Sequence, residues 1–246
     1  MTRMRHLSHC LLCTLSIAYC SQATADIVLS GTRIIYKEEQ KDTSIRMENK
    51  GQRPLLVQSW LDNGKDNEDP STIKVPFTVT PPVSRIEAKR GQTVKFTYTG
   101  SIPLPKDRES VFWFNALEIP PKPSEADAKG KNLLQLAFRT RIKLFYRPDG
   151  LEGTSTTAPE KLTWHAQKAA TGAIVQVTNP TPYFVSFSAV TVESAGKKYE
   201  VNATMVAPKS SADFTIKGLA SPPSSAKLNY HAISDFGGDI SGQVSL

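Results

Sequence analysis

Few side chains in this 246-residue sequence are of the kind that enzymes use, and none falls in a catalytic pattern. There is no G-x-S-x-G, no H-E-x-x-H and no phosphate-binding glycine loop. Beyond residue 25 there is no cysteine, and the histidines are His165 and His231. Both lie in strand-like runs, where a structural or surface histidine is commoner than a metal ligand. We expect a protein without enzymatic activity, metal or cofactor, although paired carboxylates stay open because such partners can lie far apart in a chain.

An acidic loop from Asp62 to Asp69 contains the oxygen ligands that calcium prefers. Its spacing does not match the EF-hand pattern, in which alternating ligands precede a glycine and a distant glutamate. Asn63-Gly64 is a strong hairpin turn signal. We interpret this loop as a solvated turn.

One basic residue has an ambiguous position. The run from Ile27 to Lys37 predicts a strand that a bulge or kink interrupts at Gly31. Arg33 follows this interruption, between Thr32 and Ile34. Taken by itself, it fits a solvent-facing arginine on a strand.

The longest predicted strand runs from Asn132 to Arg147, with the sequence NLLQLAFRTRIKLFYR. Leu134, Leu136 and Phe138 recur at a spacing of two, which places them on one face of an extended segment. Typical strands have about 5 or 6 residues, so we expect part of this run to pair inside a sheet and part to lie at an edge. An apolar edge invites another chain to add to it. We interpret this strand as one that is lent to another protein.

The elements around this strand predict an all-β fold. Short runs rich in Val, Ile, Thr and aromatic residues alternate with prolines, and no run after the first 25 residues sustains a helical period. The run from Val111 to Ile119 is apolar on both faces, as in a strand buried between two layers. The composition changes at Pro148-Asp149-Gly150. We predict one sandwich over residues 26–147 and a second, smaller one over residues 148–246.

Residues 1–25 have the features of a secretory signal peptide. Arg3 and Arg5 precede an apolar run from Leu11 to Tyr19, and the small residues Ala23-Thr24-Ala25 predict cleavage before Asp26. Cleavage there would remove all three cysteines, so the exported protein would have no disulfide. Lipid attachment at Cys20 is disfavoured by the bulk of Tyr19.

The charge of the predicted mature chain is moderate. Removal of Arg3 and Arg5 from 30 basic residues leaves 28 against 23 acidic residues, a net charge of +5. The basic residues are spread along the chain without an aromatic-basic block, which does not favour nucleic-acid binding. The apolar run in the leader is too short for a membrane span, so we expect no direct membrane insertion.

Six sequence blocks carry a family resemblance. They are Thr80-Pro81-Pro82, Arg108-Glu109-Ser110, Phe114-Asn115, Glu118-Ile119-Pro120-Pro121, the run from Ile142 to Pro148, and the run from Asn179 to Tyr183. Together they closely resemble the periplasmic chaperones of the chaperone-usher pathway, which assemble pili in Gram-negative bacteria. The blocks occur in the family's order, from about Thr32 to Gly238.

The resemblance implies two immunoglobulin-like sandwiches arranged as a boomerang with a cleft between them. It also implies that Arg33 and Lys143 hold the C-terminal carboxylate of a pilus subunit in this cleft. Charge-assisted hydrogen bonds suit that role and contribute on the order of 1.5 to 3 kcal/mol each. The partners would be pilus or fimbrial subunits and an outer-membrane usher, in the periplasm.

Further roles follow from the resemblance. Leu134, Leu136 and Phe138 match the apolar residues of the strand that such a chaperone lends to a subunit, a case of strand addition. Because strict alternation places Lys143 on the face opposite Phe138, we expect strand twist or a local bulge to reconcile their roles. The charges that match the family's interdomain network are Glu109, Arg147 and Asp235.

Two other classes of function stay open. An exported pilus or adhesin subunit should lack a terminal strand and usually carries a disulfide, and this chain has neither feature. A carbohydrate-binding or hydrolytic sandwich would need an aromatic platform or paired acids, whereas we interpret Trp60, Trp113 and Trp164 as core residues. Self-association of the free chaperone would be a physically sensible way to cover an apolar edge.

Overall fold

The computed structural model describes residues 26–122, 134–170, 172–223 and 225–246. Over these ranges almost all regular structure is β-strand, and one 3-10 turn spans Ala158–Lys161. No helix in these ranges is long and apolar enough to cross a membrane. The predicted leader and residues 123–133 lie outside the described part of the chain. The all-β prediction is confirmed.

The first half of the chain forms two sheets that pack face to face. Their strand orders are β1-β3-β7-β5 and β2-β9-β8-β4-β6. Alternate residues from both sheets form a buried core that includes Met47, Phe96, Phe114 and Leu144. The strands are β1 (Ile27–Leu29), β2 (Arg33–Lys37), β3 (Thr43–Asn49), β4 (Leu55–Asp62), β5 (Phe77–Thr80), β6 (Val83–Ile86), β7 (Gly91–Tyr98), β8 (Ser110–Ile119) and β9 (Phe138–Arg147).

The second half forms its own sandwich with a separate core. Its sheets have the strand orders β10-β11-β15 and β13-β12-β16-β17, and β14 also pairs with β12. Trp164 is buried in this core and stacks against Tyr230. The strands are β10 (Thr163–Ala169), β11 (Gly172–Asn179), β12 (Val185–Ser194), β13 (Lys197–Glu200), β14 (Met205–Val206), β15 (Ser210–Thr215), β16 (Lys227–Ile233) and β17 (Asp239–Ser245).

The interruption at Gly31 is a change of sheet, so the predicted bulge or kink within one strand is wrong. β1 pairs antiparallel with β3 in the first sheet, whereas β2 pairs parallel with β9 in the second. Ile27 and Ile34 are both buried in the core between these sheets. The crossing brings Arg33 directly beside Lys143.

The predicted long strand begins six residues later than expected, at Phe138. Its partner β8 pairs Glu118 with Phe138 and ends at the next residue, and the described residues just before Phe138, from 134 to 137, pair with no strand. Leu134 and Leu136 are therefore outside any strand and are 83% and 55% exposed. Asn132 and Leu133 lie outside the described residues.

The register between β8 and β9 is continuous from Ser110 opposite Tyr146 to Glu118 opposite Phe138. No bulge occurs in this pairing, so of the two expected alternatives, a local bulge and strand twist, the bulge is absent. Phe138 and Lys143 lie on opposite faces of the strand. The even-numbered face continues into the core, where Leu144 and Tyr146 are buried.

Candidate functional site

Half of strand β9 forms an open sheet edge. On one side β9 pairs with β8 from Phe138 to Tyr146. On the other side β2 pairs only with the residues from Lys143 to Arg147. Within the described ranges, residues 138–142 thus have no partner strand on this second side. The exposed backbone groups there can accept a further strand.

Arg33 and Lys143 lie at the point where this open edge begins. They face each other as the first paired residues of β2 and β9. Both side chains line a cavity of about 270 Å³, together with Thr32, Trp113, Arg141, Ile142 and Ile233. Because Ile233 belongs to β16, the cavity lies between the two sandwiches. The structure thus brings together Arg33 and Lys143, the two residues predicted to bind a carboxylate.

Among the described residues, no salt bridge neutralises the positive charge at this point. The Arg33 guanidinium donates from Nη1 to the carbonyl oxygen of Ile233 at 2.8 Å and lies 5.7 Å from the ring centre of Phe145. Its Nε is buried without a hydrogen-bond partner in the described structure. Among the described residues, neither Arg33 nor Lys143 forms a salt bridge. The pair is therefore suited to receive an anion.

Burial weakens the protonation of both cations. It lowers the pKa of Lys143, and the neighbouring positive charges of Arg33 and Arg141 lower this pKa further. Burial also lowers the pKa of Arg33, which the negative charges of Asp235 and Glu109 partly offset. A bound carboxylate would relieve this repulsion, since an opposite charge favours the charged form.

The predicted interdomain charges contact each other across the two sandwiches. Arg147 donates from Nε to Glu109 at 2.7 Å and from Nη1 and Nη2 to Asp235 at 2.7 and 3.0 Å. Glu109 also accepts the backbone N–H of Phe184 at 2.8 Å. Asp235 accepts the hydroxyl of Ser155 at 2.9 Å. These bonds join β9 to the second sandwich four residues after Lys143.

The pKa values of the two acids in this network shift in opposite directions. It raises the pKa of Glu109, whose side chain is 2% exposed, and the charge of Arg147 offsets this only in part. Burial also opposes ionisation of Asp235, but the hydrogen bonds and charge of Arg147, the hydrogen bond from Ser155 and the charge of Arg33 together outweigh it and lower the pKa of Asp235. We expect such a buried network to define the geometry more than to add stability. The bonds to Asp235 connect β9, which lines the cavity, to the second sandwich.

The predicted lending residues are all exposed in the free protein. Leu134, Leu136 and Phe138 are 83%, 55% and 57% exposed. Phe138 lies on the same face of β9 as the buried Leu144, and Leu134 and Leu136 would continue this face if the strand were extended towards them. The side chain of Gln135, of opposite parity, donates to the carbonyl oxygens of Pro120 and Pro121.

Sequence reasoning missed one charged group beside the cavity. Asp62 is not part of a solvated turn: it is 1% exposed and forms a bidentate ion pair with Arg141 at 2.6 and 3.0 Å. Trp113 is not a core residue, because its half-buried ring lies under Arg141 on the outer face of the sheet. Trp60 is likewise only half-buried. The sequence did contain one signal of this site, because Asn115 is a polar residue inside an apolar run. In the structure its side-chain amide donates to Asp62 at 2.7 Å.

Comparison with known proteins decides the family. Residues 26–152 match the family described as "Pili and flagellar-assembly chaperone, PapD N-terminal domain". Residues 157–244 match "Pili assembly chaperone PapD, C-terminal domain". The chain belongs to the PapD-like pilus-assembly chaperones. It is a fimbrial chaperone of the chaperone-usher type with two β-sandwich domains, and members of this family are not enzymes.

Individual relatives agree with this assignment. The chaperone is 57% identical over 230 residues to the probable fimbrial chaperone YadV of Escherichia coli K12, with 94% of each chain covered. It is 44% identical to the chaperone protein HifB of Haemophilus influenzae, covering 90% of this chain and 88% of HifB. Its fold is similar to the crystal structure of the YadV chaperone, with 55% identity, a TM-score of 0.79, and 90% and 100% of the two chains covered.

A further solved neighbour contains a bound partner. It is the Salmonella enterica SafA pilin in complex with the SafB chaperone, with 25% identity and a TM-score of 0.74. The match covers 92% of this chain and 99% of that chain. In that structure a chaperone of this fold binds a pilin.

Proposed function

We propose that this chaperone captures pilus subunits in the periplasm by lending them the open edge of β9, and delivers them to an outer-membrane usher. The subunit's C-terminal carboxylate would bind Arg33 and Lys143. The observation that carries this proposal is a coincidence of position. The two unneutralised cations lie where β2 stops pairing with β9 and the open edge begins.

The position of the anchor determines the direction of the added strand. β2 runs parallel to β9 and starts at Arg33, so the space beside residues 134–142 lies in line with β2, before its first residue. A strand that fills this space and ends with its carboxylate at Arg33 must run towards Arg33. It therefore runs parallel to β9. At about 3.3 Å per residue, the distance from Leu134 to Lys143 corresponds to roughly 30 Å of added strand.

The lent side chains supply apolar surface to the subunit. Leu134, Leu136 and Phe138 stand at alternate positions at and just before the open edge, and each is more than half exposed. Complete burial of such a side chain stabilises a complex by about 1.5 to 3 kcal/mol. We expect residues 134–137 to join β9 when a subunit strand pairs with them, because the backbone then gains the partner that β8 does not provide.

The two faces of β9 therefore serve different parts of the subunit. The even-numbered face fills the subunit core with apolar side chains, while the odd-numbered face carries Lys143. A terminal carboxylate belongs to the backbone of the added strand, so a cation on either face can reach it. Neither a bulge nor a change of face is required. Arg33 adds a planar guanidinium that suits bidentate binding of a carboxylate.

The test is recovery of subunits with tagged chaperone from periplasm, followed by mass spectrometry. We expect Arg33→Ala or Lys143→Ala to abolish the complex while the variant stays folded, because each change removes one charge-assisted contact. Arg85→Ala is the matched control, since Arg85 is an exposed arginine on the same sheet, paired with Glu87. Normal complex yield from both anchor variants would refute the proposal.

The exposed edge also favours self-association of the free chaperone, which sedimentation at increasing concentration would detect.

A further inference from the structure

The odd-numbered face of β9 carries three cations in succession, at positions 139, 141 and 143. Arg139, Arg141 and Lys143 share this face because side chains alternate along a strand. Arg141 and Lys143 line the same cavity. A carboxylate that enters beside β9 therefore meets more than one position at which a positive charge could stop it.

Arg141 differs from Lys143 in that its charge is compensated. Asp62 accepts Arg141 Nη2 at 2.6 Å and Nε at 3.0 Å, which is the bidentate geometry of a strong ion pair. The side chain of Asp62 is 2% exposed and that of Arg141 is 24% exposed, so solvent does not screen the pair strongly. Lys143 has no salt-bridge partner among the described residues.

Further contacts hold Asp62 in place. It accepts the Gly64 backbone N–H at 2.7 Å and the Asn115 amide at 2.7 Å, so both carboxylate oxygens have two donors. The Arg141 guanidinium lies 4.9 Å from the ring centre of Trp113. Gly64 has a φ of +107°, and a Cβ there would lie 3.1 Å from the Trp113 ring. The loop after β4 thus packs closely on the arginine that it neutralises.

The same loop also engages the third cation. Arg139 donates from Nη1 to the carbonyl oxygen of Asp66 at 2.7 Å. This carbonyl satisfies a donor but carries no formal charge, and Arg139 is exposed to solvent. Of the two cations of β9 that line the cavity, Lys143 is the one without a salt bridge to any described residue.

We propose that Asp62 is a specificity-determining residue for subunit capture: by neutralising Arg141, it restricts the subunit's carboxylate to Arg33 and Lys143 and so sets the register of the added strand. This inference rests on the proposed function. Asp62 acts through Arg141 and need not touch the subunit itself.

The apolar contacts cannot set this register alone. A slip of two residues keeps every side chain of a strand on its original face, whereas a slip of one residue reverses them. A carboxylate that stopped at Arg141 would withdraw the subunit strand by two residues, about 6.6 Å. The subunit's apolar residues would still face the even-numbered face of β9. The two registers therefore differ in which cation, Lys143 or Arg141, receives the subunit's carboxylate.

The experiment measures register by disulfide crosslinking. The mature chain is expected to contain no cysteine, because all three lie in the first 25 residues. Gln135→Cys and Ala137→Cys introduce single cysteines on the face away from the apolar trio. Each is coexpressed with the subunit that copurifies with the unmodified chaperone. The subunit also carries a single cysteine, placed in its terminal strand. Its position is chosen so that it crosslinks to Ala137→Cys of a chaperone that retains Asp62.

In the Asp62→Asn background we expect the crosslink to move from position 137 to position 135. The ratio of the two products should change by about tenfold or more, the effect of one charge-assisted hydrogen bond. Asp66→Asn is the matched control, since Asp66 is an exposed acid of the same loop that contacts Arg139 through its backbone only. Asp62→Asn combined with Arg141→Gln should return the crosslink to position 137, because the competing cation is gone.

A merely structural role for Asp62 predicts a different result. Thermal stability would fall in Asp62→Asn while the crosslink stayed at position 137, and this outcome would overturn the proposal. Asp62→Ser keeps an acceptor for the Gly64 amide and serves as a second variant. Failure of the proposed function itself would appear separately, as normal capture by Arg33→Ala and Lys143→Ala with Asp62 intact.

Discussion

Leu136→Glu should separate subunit capture from the stability of the chaperone. In the free protein Leu136 is 55% exposed and lies outside every strand. A substitution at such a position changes the free energy of unfolding by no more than about 0.5 kcal/mol. In the proposed complex the same side chain is buried in the subunit, so the substitution should act on binding alone.

The expected loss follows from the exposed part of the side chain. Burial of the remaining half of a leucine contributes about 1 to 1.5 kcal/mol, and burial of an unpaired carboxylate adds a cost of at least about 1 to 3 kcal/mol. The sum, about 2 to 4.5 kcal/mol, corresponds to binding that is roughly 30- to 1,600-fold weaker. Leu136→Ala removes the apolar contribution only and should weaken binding about 5- to 10-fold.

Competition inside the periplasm provides the assay. Wild-type and variant chaperones are coexpressed with one subunit, and mass spectrometry compares their ratio in the subunit complex with their ratio in the whole extract. Leu56→Glu is the matched control, because Leu56 is also an exposed leucine, 42% exposed, but lies on β4 away from the open edge. Equal incorporation of Leu136→Glu and wild type would show that this residue is not lent to the subunit.

Two further predictions concern the buried charges. Arg147→Ala leaves Glu109 buried without its cation and should lower the free energy of unfolding by about 3 to 5 kcal/mol in urea denaturation. A loss below about 1 kcal/mol would contradict the network's role. The control is Lys217→Ala, which breaks an exposed pair with Glu200. Burial opposes ionisation of Asp62, but hydrogen bonds from Arg141, Asn115 and Gly64 outweigh it and lower the pKa of Asp62. The unfolded chain therefore binds the proton more readily, so stability from Asp62 is present above an ordinary aspartate pKa of about 3.9 and is lost as the pH falls through the lower pKa of the folded state. Urea denaturation between about pH 2 and pH 5 should show this acid-dependent loss reduced in Asp62→Asn, and an identical pH dependence in both proteins would refute the assignment.

Local patterns explain which parts of the fold were predictable. The alternation of Leu134, Leu136 and Phe138 predicted a shared face, because alternation depends only on the geometry of one extended chain. The start of β9 was not predictable in the same way. It depends on where β8 ends, and Glu118 is the residue that pairs with Phe138.

The sheet change around Gly31 shows the same limit. A glycine inside an apolar run indicates an interruption, but it does not distinguish a bulge from a crossing between sheets. The crossing places Ile27 and Ile34 in one core while it moves β2 beside β9. Only the packing of both sheets determines that choice.

The sequence by itself determined the strand periods, the apolar face of β9 and the blocks by which the family is recognised, because each depends on residues close together in the chain. The tertiary structure alone decided which cations have a salt-bridge partner among the described residues. Asp62 and Arg141 are 79 positions apart, yet they form a buried ion pair. Arg33 and Lys143 lie opposite each other on the neighbouring strands β2 and β9, and neither forms a salt bridge with a described residue. Whether a charge is compensated depends on distances in space and not along the chain. For this reason the loop that begins at Asp62, which the sequence suggested was a solvated turn, can determine which cation of β9 is able to bind a carboxylate.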